Sequence, residues 1–213
     1  MIRGVIFDLD GVVADTEPLQ WQAYRRVLAE VGVDIGLEEY RRAWIATGTG
    51  PEYAQRKYGL ALTPDEIKTR KARVYLKLVH EGVSPCRGAA AALARLHQTH
   101  LVGLATNTAR AEVELILGQL GMASFFHATV AREDYARPKP APDAYLAAAA
   151  ALGLAPRECA VAEDTARGLR AALDAGMVGI AVPNELTLDN DFTGAARRLE
   201  SLDELTAALL AEL

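Results

Sequence analysis

The chain has 213 residues, of which 51% are hydrophobic and 24% charged, and its formal net charge is −5 at pH 7. This length allows one hydrophobic core with a modest inserted subdomain, and the composition is ordinary for a globular protein. The charge offers no basic field for nucleic acid or anionic membranes, and no apolar run approaches the ~20 residues of a membrane span. No charged-then-apolar leader precedes the first strand, and the two cysteines lack a metal-binding spacing, so we expect a cytoplasmic protein.

The first predicted element is a strand over residues 5–7 that runs directly into two acids. Its residues are β-branched or aromatic, which indicates a strand buried on both faces. Side chains at i and i+2 of an extended segment point the same way, so Asp8 and Asp10 face one small volume, and Gly11 permits a sharp turn there. Two carboxylates this close repel each other unless a cation separates them or one is protonated. They indicate a cation site, an acid–base pair or a nucleophile with a partner acid, the alternative being a solvated turn.

Residues 18–82 form a block without strand-like runs. Apolar residues recur there at helical spacing, which predicts helices over residues 19–31, 37–45, 52–58 and 64–80. The last of these has the strongest start signal, with Thr63 as N-cap, Pro64 at the first position and Glu66 at the third. The block therefore predicts an all-helical insertion immediately after the first strand.

Beyond residue 83, apolar strands alternate with helices. Strands are predicted over residues 101–105, 126–130, 159–162 and 178–182, and helices over residues 89–97, 109–120, 142–152, 165–175 and 202–210. Such alternation implies an α/β protein with a doubly wound parallel sheet. Sheets of this kind bind ligands beyond the carboxyl ends of the strands, where the strand order reverses.

Three further segments place polar groups at or near these strand ends. Thr106 and Asn107 follow the second core strand, where a hydroxyl and free backbone amides can cradle an anion, although both residues are also common helix caps. Lys139 stands among three alternating prolines, a rigid mounting that a surface lysine would not need. Glu163 and Asp164 end another apolar strand, and helix capping by Asp164 alone would leave Glu163 unexplained.

The run FDLDGVVADT over residues 7–16 resembles the first motif of the haloacid dehalogenase superfamily, in its phosphatase and phosphomutase branch. The segments around Thr106, Lys139 and Glu163–Asp164 resemble the second, lysine and fourth motifs of that family, in the family's order. The resemblance implies a Rossmann-like core over residues 1–15 and 83–213 and a helical cap domain over residues 16–82.

The resemblance also implies catalytic roles. Asp8 would be the nucleophile that forms an aspartyl-phosphate, and Asp10 would act as general acid and then general base. Thr106, Asn107 and Lys139 would bind the phosphoryl oxygens, with the Lys139 ammonium also offsetting the charge of the nucleophile.

A metal site is implied at the same place. By the resemblance, Mg²⁺ would be held by the Asp8 carboxylate, the Asp10 main-chain carbonyl and Asp164, with Glu163 binding directly or through water. Hard oxygen donors without a thiolate or imidazole cluster favour Mg²⁺ over zinc.

The implied substrate is a small phosphorylated metabolite of the phosphoglycolate or sugar-phosphate kind, with Gln20 and Gly48 of the cap among its contacts. The β-phosphoglucomutases carry a histidine where Gln20 stands and an arginine loop around the place of Gly48, so these departures favour a phosphatase over a sugar phosphomutase. A non-catalytic binding protein is the third hypothesis, against which stands the presence of every acid and the lysine. No nucleic-acid or membrane partner is expected, and no feature predicts an oligomeric state.

Overall fold

The structure is a computed structural model that describes all 213 residues. It divides into two compact units, one made of Met1–Asp15 with Ser84–Leu213 and the other of Thr16–Val83. The strands are β1 Gly4–Phe7, β2 Ala14–Asp15, β3 Ser84–Pro85, β4 Leu101–Ala105, β5 Ala128–Val130, β6 Cys159–Glu163, β7 Val178–Ala181 and β8 Arg197–Arg198. The α-helices are α1 Glu17–Ala29, α2 Leu37–Tyr40, α3 Gly50–Tyr58, α4 Pro64–Glu81, α5 Ala89–Leu96, α6 Arg110–Leu120, α7 Asp143–Ala151, α8 Ala166–Asp174 and α9 Ala207–Ala211.

Six strands of the first unit form one parallel sheet in the order β5-β4-β1-β6-β7-β8. Strand β1 lies inside the sheet, with Phe7 in register with Leu104 on β4 and Ala162 on β6. The chain crosses to β4 on one side of β1 and later to β6 on the other, so the strand order reverses at β1. This arrangement confirms the predicted doubly wound parallel sheet and puts Asp8 at the reversal point.

The core of this unit is built around two strands buried along their whole length and around alanine-rich helices. Every residue of β1 and β6 is buried. Helix α7 presents Ala144, Ala148 and Ala149 to the cluster that contains Ile6 and Val161. Small side chains let this helix approach the sheet closely, which brings its first turn near the carboxyl ends of the strands.

One predicted element of this unit is wrong. The apolar spacing predicts a closing helix over residues 202–210, but the chain forms a 3₁₀ turn at Leu202–Glu204 and then the short helix α9. Leu205 between them is extended, and its carbonyl accepts a hydrogen bond of 2.8 Å from the Arg95 guanidinium. Thr206 then caps α9 by accepting from the Leu209 N–H. A distant cation and a local cap therefore override the helical pattern.

The second unit is helical throughout, as predicted. Helix α2 continues as a π-helix over Arg41–Ile45, and α4 begins with the expected capping box, in which Thr63 N–H donates to Glu66 Oε2 at 2.8 Å. Three rings, those of Tyr24, Tyr40 and Trp44, pack with centroids 5.6 to 6.2 Å apart. No helix of either unit has an apolar stretch long enough to cross a membrane.

Candidate active site

The centre of the site is an ion pair between Asp8 and Lys139. Asp8 directly follows β1, and its backbone N–H continues the sheet by donating to the Ala162 carbonyl at 3.1 Å. The Lys139 ammonium lies 2.9 Å from Asp8 Oδ1 and 2.7 Å from Glu163 Oε1. All three side chains are buried, so the ends of β1 and β6 meet the proline-rich run over residues 137–143, called the lysine segment below.

Lys139 is held from several directions. Its Nζ also contacts the Ala105 carbonyl at 3.0 Å and the Tyr145 hydroxyl at 2.7 Å, and its backbone N–H donates to Asn107 Oδ1 at 3.1 Å. The peptide bond to Pro140 is cis. Four oxygens thus surround an ammonium that has three protons to donate.

Glu163 is fully engaged by donors of the chain. Its Oε1 accepts from Lys139 Nζ and from the Tyr145 hydroxyl, the latter at 2.6 Å. Its Oε2 accepts from the Thr165 N–H at 3.2 Å and the Thr165 hydroxyl at 3.1 Å. Gly168 packs against this carboxylate so closely that a Cβ there would overlap it.

Burial and charge set the ionisation of this group of residues. Burial raises the pKa of Asp8 to about 7, because the nearby Lys139 offsets only part of the loss of hydration and Glu163 adds repulsion. Burial also acts to raise the pKa of Glu163. The charge of Lys139 and the hydrogen bonds that Glu163 accepts outweigh burial and hold that pKa below its usual value. Burial disfavours the Lys139 cation, yet the two carboxylates outweigh it and raise the pKa of Lys139.

A metal ion fits this place chemically. Asp8, Glu163 and Asp164 are buried, and each offers a carboxylate oxygen within 4.8 Å of the others. The acidic cluster could hold a metal ion, since its donors are all hard oxygens of the kind that Mg²⁺ and Ca²⁺ prefer. Of the three, Glu163 already accepts four hydrogen bonds, which leaves Asp8 and Asp164 as the carboxylates better placed to bind an ion directly.

Asp10 turns its carboxylate towards the end of β4. Its Oδ2 accepts a 2.5 Å hydrogen bond from the Thr108 hydroxyl and a longer one of 3.4 Å from the Thr106 hydroxyl. The side chain of Asn107 is directed to the lysine segment, where Oδ1 accepts from the Tyr135 hydroxyl at 2.7 Å as well as from the Lys139 N–H. Asn107 therefore links two loops through the oxygen of its side-chain amide.

A comparison with known protein families identifies the chain. The family model for haloacid dehalogenase-like hydrolases matches residues 2–176. The chain belongs to this family. Its acids and lysine thus come from the core of a haloacid dehalogenase-like hydrolase, and they converge at the carboxyl edge of the parallel sheet.

Several relatives of this haloacid dehalogenase-like hydrolase cover most or all of its length. Protein CbbY of Rhodobacter capsulatus is 31% identical, with 100% of this chain and 99% of the relative covered. Fructose-1-phosphate phosphatase YqaB of Escherichia coli is 32% identical, with 84% and 95% covered. The β-phosphoglucomutase of Bacillus subtilis is 31% identical, with 99% and 95% covered. The family match and the named phosphatases among its relatives, such as YqaB, support a phosphoric monoester hydrolase.

A solved structure agrees with the fold. A variant of CbbY from Rhodobacter sphaeroides, crystallised with xylulose-(1,5)bisphosphate, superposes with a TM-score of 0.83 at 32% identity and with 96% of each chain covered. That protein binds a sugar phosphate carrying two phosphate groups.

Four side chains of the site were not found from the sequence. They are Thr108, Tyr135, Tyr145 and Asn184, of which the last donates a 2.8 Å hydrogen bond from Nδ2 to Asp164 Oδ2. The only signal for Thr108 was its place directly after Asn107. The predicted cap contacts belong to the helical unit, where Gln20 lies in α1 and Gly48 lies in a turn with a φ of 69°. Their contact with a substrate stays a prediction.

Proposed function

We propose that this haloacid dehalogenase-like hydrolase is a Mg²⁺-dependent phosphatase that hydrolyses a small phosphorylated metabolite through an aspartyl-phosphate. The observation that carries the proposal is the buried pair of Asp8 and Lys139 at the point where the strand order reverses. A carboxylate nucleophile needs both a nearby cation for the phosphoryl charge and an acid for the leaving oxygen, and Lys139 and Asp10 supply these groups.

In the first step, one oxygen of the Asp8 carboxylate attacks phosphorus in line with the ester oxygen. The Asp8–phosphorus bond forms as the bond from phosphorus to the ester oxygen breaks, and Asp10 donates a proton to the departing oxygen. The Lys139 ammonium and the Thr106 hydroxyl stabilise the charge on the transferring oxygens. Thr108 holds the Asp10 carboxyl through Oδ2 and so fixes the direction of its proton.

In the second step, water attacks phosphorus and the Asp8–phosphate bond breaks. Asp10, which lost its proton to the product alcohol, now accepts a proton from that water, and inorganic phosphate leaves. Mg²⁺, held by Asp8, Asp164 and the Asp10 carbonyl, with Glu163 directly or through water, would supply positive charge against the phosphoryl oxygens.

The relatives and the helical unit support a proposal for the substrate class. We propose that Thr16–Val83 is the cap of the family and that it selects the substrate, with Gln20 and Gly48 among its contacts. A fructose-1-phosphate phosphatase and a CbbY bound to xylulose-(1,5)bisphosphate are both similar over most of the chain, which supports a sugar phosphate ahead of phosphoglycolate.

A sugar phosphomutase is the second candidate. It is favoured by the 31% identity of this chain to the β-phosphoglucomutase of Bacillus subtilis. In that reaction the aspartyl-phosphate returns its phosphoryl group to a sugar instead of to water. Gln20 argues against it, because an amide side chain cannot take part in the proton-linked gating that a histidine offers.

The test is a phosphate-release assay over a panel of sugar phosphates, phosphoglycolate and p-nitrophenyl phosphate, with Mg²⁺ and again with excess EDTA. We expect Mg²⁺-dependent release of inorganic phosphate from at least one sugar monophosphate. Strict dependence on a sugar bisphosphate, with isomerised sugar phosphate as product, would establish the mutase. No turnover of any panel member with Mg²⁺ would contradict both and favour a non-catalytic binding protein.

A further inference from the structure

A residue outside the four family motifs contacts the acidic cluster. The loop between β7 and β8 runs over residues 182–196 and places Asn184 beside Asp164, where Nδ2 donates to Oδ2 at 2.8 Å. The sequence does not indicate this contact, because an asparagine after a proline is ordinary in a polar loop and needs no partner elsewhere in the chain.

The direction of the Asn184 amide is determined by its own loop. Its Oδ1 accepts from the Leu186 N–H at 2.9 Å, so the amide oxygen faces the turn and the NH₂ group faces Asp164. The backbone N–H of Asn184 donates to the hydroxyl of Thr187 at 3.0 Å, and Thr187 is completely buried. The donor at Asp164 is therefore presented by a turn that is itself held in place.

The Asn184–Asp164 pair lies directly against the Asp8–Gly11 turn. Gly11, one residue after Asp10, has a φ of 75°, and a Cβ built on it would lie 2.8 Å from Asn184 Nδ2 and 2.8 Å from Asp164 Cγ. The pair and the Asp8–Gly11 turn thus touch without room for another side chain. A small rotation of the Asp164 carboxylate would change where its two oxygens lie relative to the Asp8 carboxylate.

We propose that Asn184 is a positioning residue that orients the Asp164 carboxylate for a divalent cation. The inference rests on the proposed function, in which Asp164 is a metal ligand. Holding Oδ2 fixes the plane of the carboxylate and hence the direction of Oδ1, and partners that orient metal ligands in this way commonly contribute tenfold or more to affinity.

The choice of an amide has a physical reason. A lysine or arginine at this position would also orient Asp164, but its positive charge would repel the incoming cation. Asn184 supplies the hydrogen bond without a charge, so the full negative charge of Asp164 stays available to the ion. The Lys139 ammonium, by contrast, forms its ion pairs with Asp8 and Glu163.

The experiment measures Mg²⁺ binding to the substrate-free protein by isothermal titration calorimetry, for the wild type, Asn184→Ala and Asn190→Ala. Asn190 is a matched control, because it lies in the same loop and its Oδ1 accepts from the Ala166 N–H at 3.1 Å without touching a carboxylate. We expect Asn184→Ala to weaken Mg²⁺ binding about tenfold or more. We expect Asn190→Ala to stay within about threefold of the wild type at a similar loss of thermal stability.

A second variant guards against misfolding. Asn184→Ser keeps an oxygen that can accept from the Leu186 N–H but is too short to reach Asp164, so it should fold and show the same weakened binding. Binding within about threefold of the wild type in both Asn184 variants, or equal weakening by Asn190→Ala, would overturn the inference. Absence of Mg²⁺ binding in the wild type would also overturn it, whereas intact binding without phosphate release would overturn the proposed function alone.

Discussion

The Lys139 ammonium lies 2.9 Å from Asp8 Oδ1, with the lysine side chain only 5% exposed and the aspartate 12%. Both charges are therefore removed from water, and each is tolerated mainly because the other is present. This pair links the stability of the core to its chemistry, because a change in either charge alters the electrostatics of the whole acidic cluster.

Replacing the lysine by a neutral side chain of similar length tests this link. Lys139→Met leaves Asp8 and Glu163 without their cation, and breaking a buried pair in this way costs about 3 kcal/mol. We expect that loss in the free energy of unfolding by urea in EDTA, together with loss of phosphate release. The control is Lys68→Met, whose exposed pair with Glu52 should contribute less than about 1 kcal/mol. Equal losses in the two variants would contradict the account.

The raised pKa of Asp8 predicts how the stability of the metal-free protein depends on pH. The ordinary pKa of 3.8 rises to about 7 on folding, chiefly through burial. The folded protein therefore holds this proton more tightly, so the contribution to stability is complete below pH ~4 and is lost as the pH rises through ~7. In EDTA, the free energy of unfolding should fall from pH 5 to pH 8 by more in the wild type than in Asp8→Asn. Parallel curves for the two proteins would show that Asp8 does not titrate in this range.

Thr108 should matter to catalysis because its hydroxyl donates to Asp10, the proposed general acid and base. Thr108→Val keeps the shape of the side chain but removes the donor to Asp10 Oδ2. We expect kcat to fall roughly tenfold to a hundredfold with little change in KM. General acid–base catalysis accelerates reactions by about a hundredfold or more, and the variant should lose part of that acceleration. Thr108→Ser retains the hydroxyl and should recover most of the activity. If the serine variant were as slow as the valine variant, packing and not the hydrogen bond would be the cause.

Gly168 is predicted to tolerate no side chain. A Cβ at this position of α8 would overlap the Glu163 carboxylate, so Gly168→Ala should displace Glu163 and destabilise the protein by about 1–3 kcal/mol. Gly118→Ala is the matched control in α6, where no atom lies within 4 Å of the new Cβ. That change should be neutral or stabilising by up to about 1 kcal/mol, because alanine favours helix. Thermal unfolding of both variants distinguishes overlap with Glu163 from the effect of alanine in any helix. If Gly118→Ala were destabilised as well, overlap with Glu163 would not be the cause.

The parts of the site that the sequence predicts are those whose signal is local. Asp8 and Glu163 stand at the ends of apolar strands, and Lys139 stands among prolines, so a short window contains the information. Thr108 and Asn184 act on partners 98 and 20 residues away, and only the crossing of the chain at the sheet brings them together. The motifs therefore indicate the charged groups together with Thr106 and Asn107, but not Thr108 and Asn184, whose partners are distant in the sequence.

The fold shows the same division. The strand over Leu101–Ala105 has the predicted bounds, because an apolar run between polar ends determines it locally. The C-terminal segment does not follow its helical spacing, because Arg95, more than a hundred residues earlier, donates to the Leu205 carbonyl and stabilises an extended residue there. In this segment a long-range hydrogen bond therefore separates the observed structure from the predicted helix.

The role of Asp8 as nucleophile is tested by the rate of phosphate release by Asp8→Asn under saturating Mg²⁺ and substrate, with the exposed Asp65→Asn as control. An amide at position 8 cannot form an aspartyl-phosphate, so we expect no detectable turnover for Asp8→Asn and unchanged turnover for Asp65→Asn. Turnover by Asp8→Asn within roughly tenfold of the wild type would show that Asp8 is not the nucleophile.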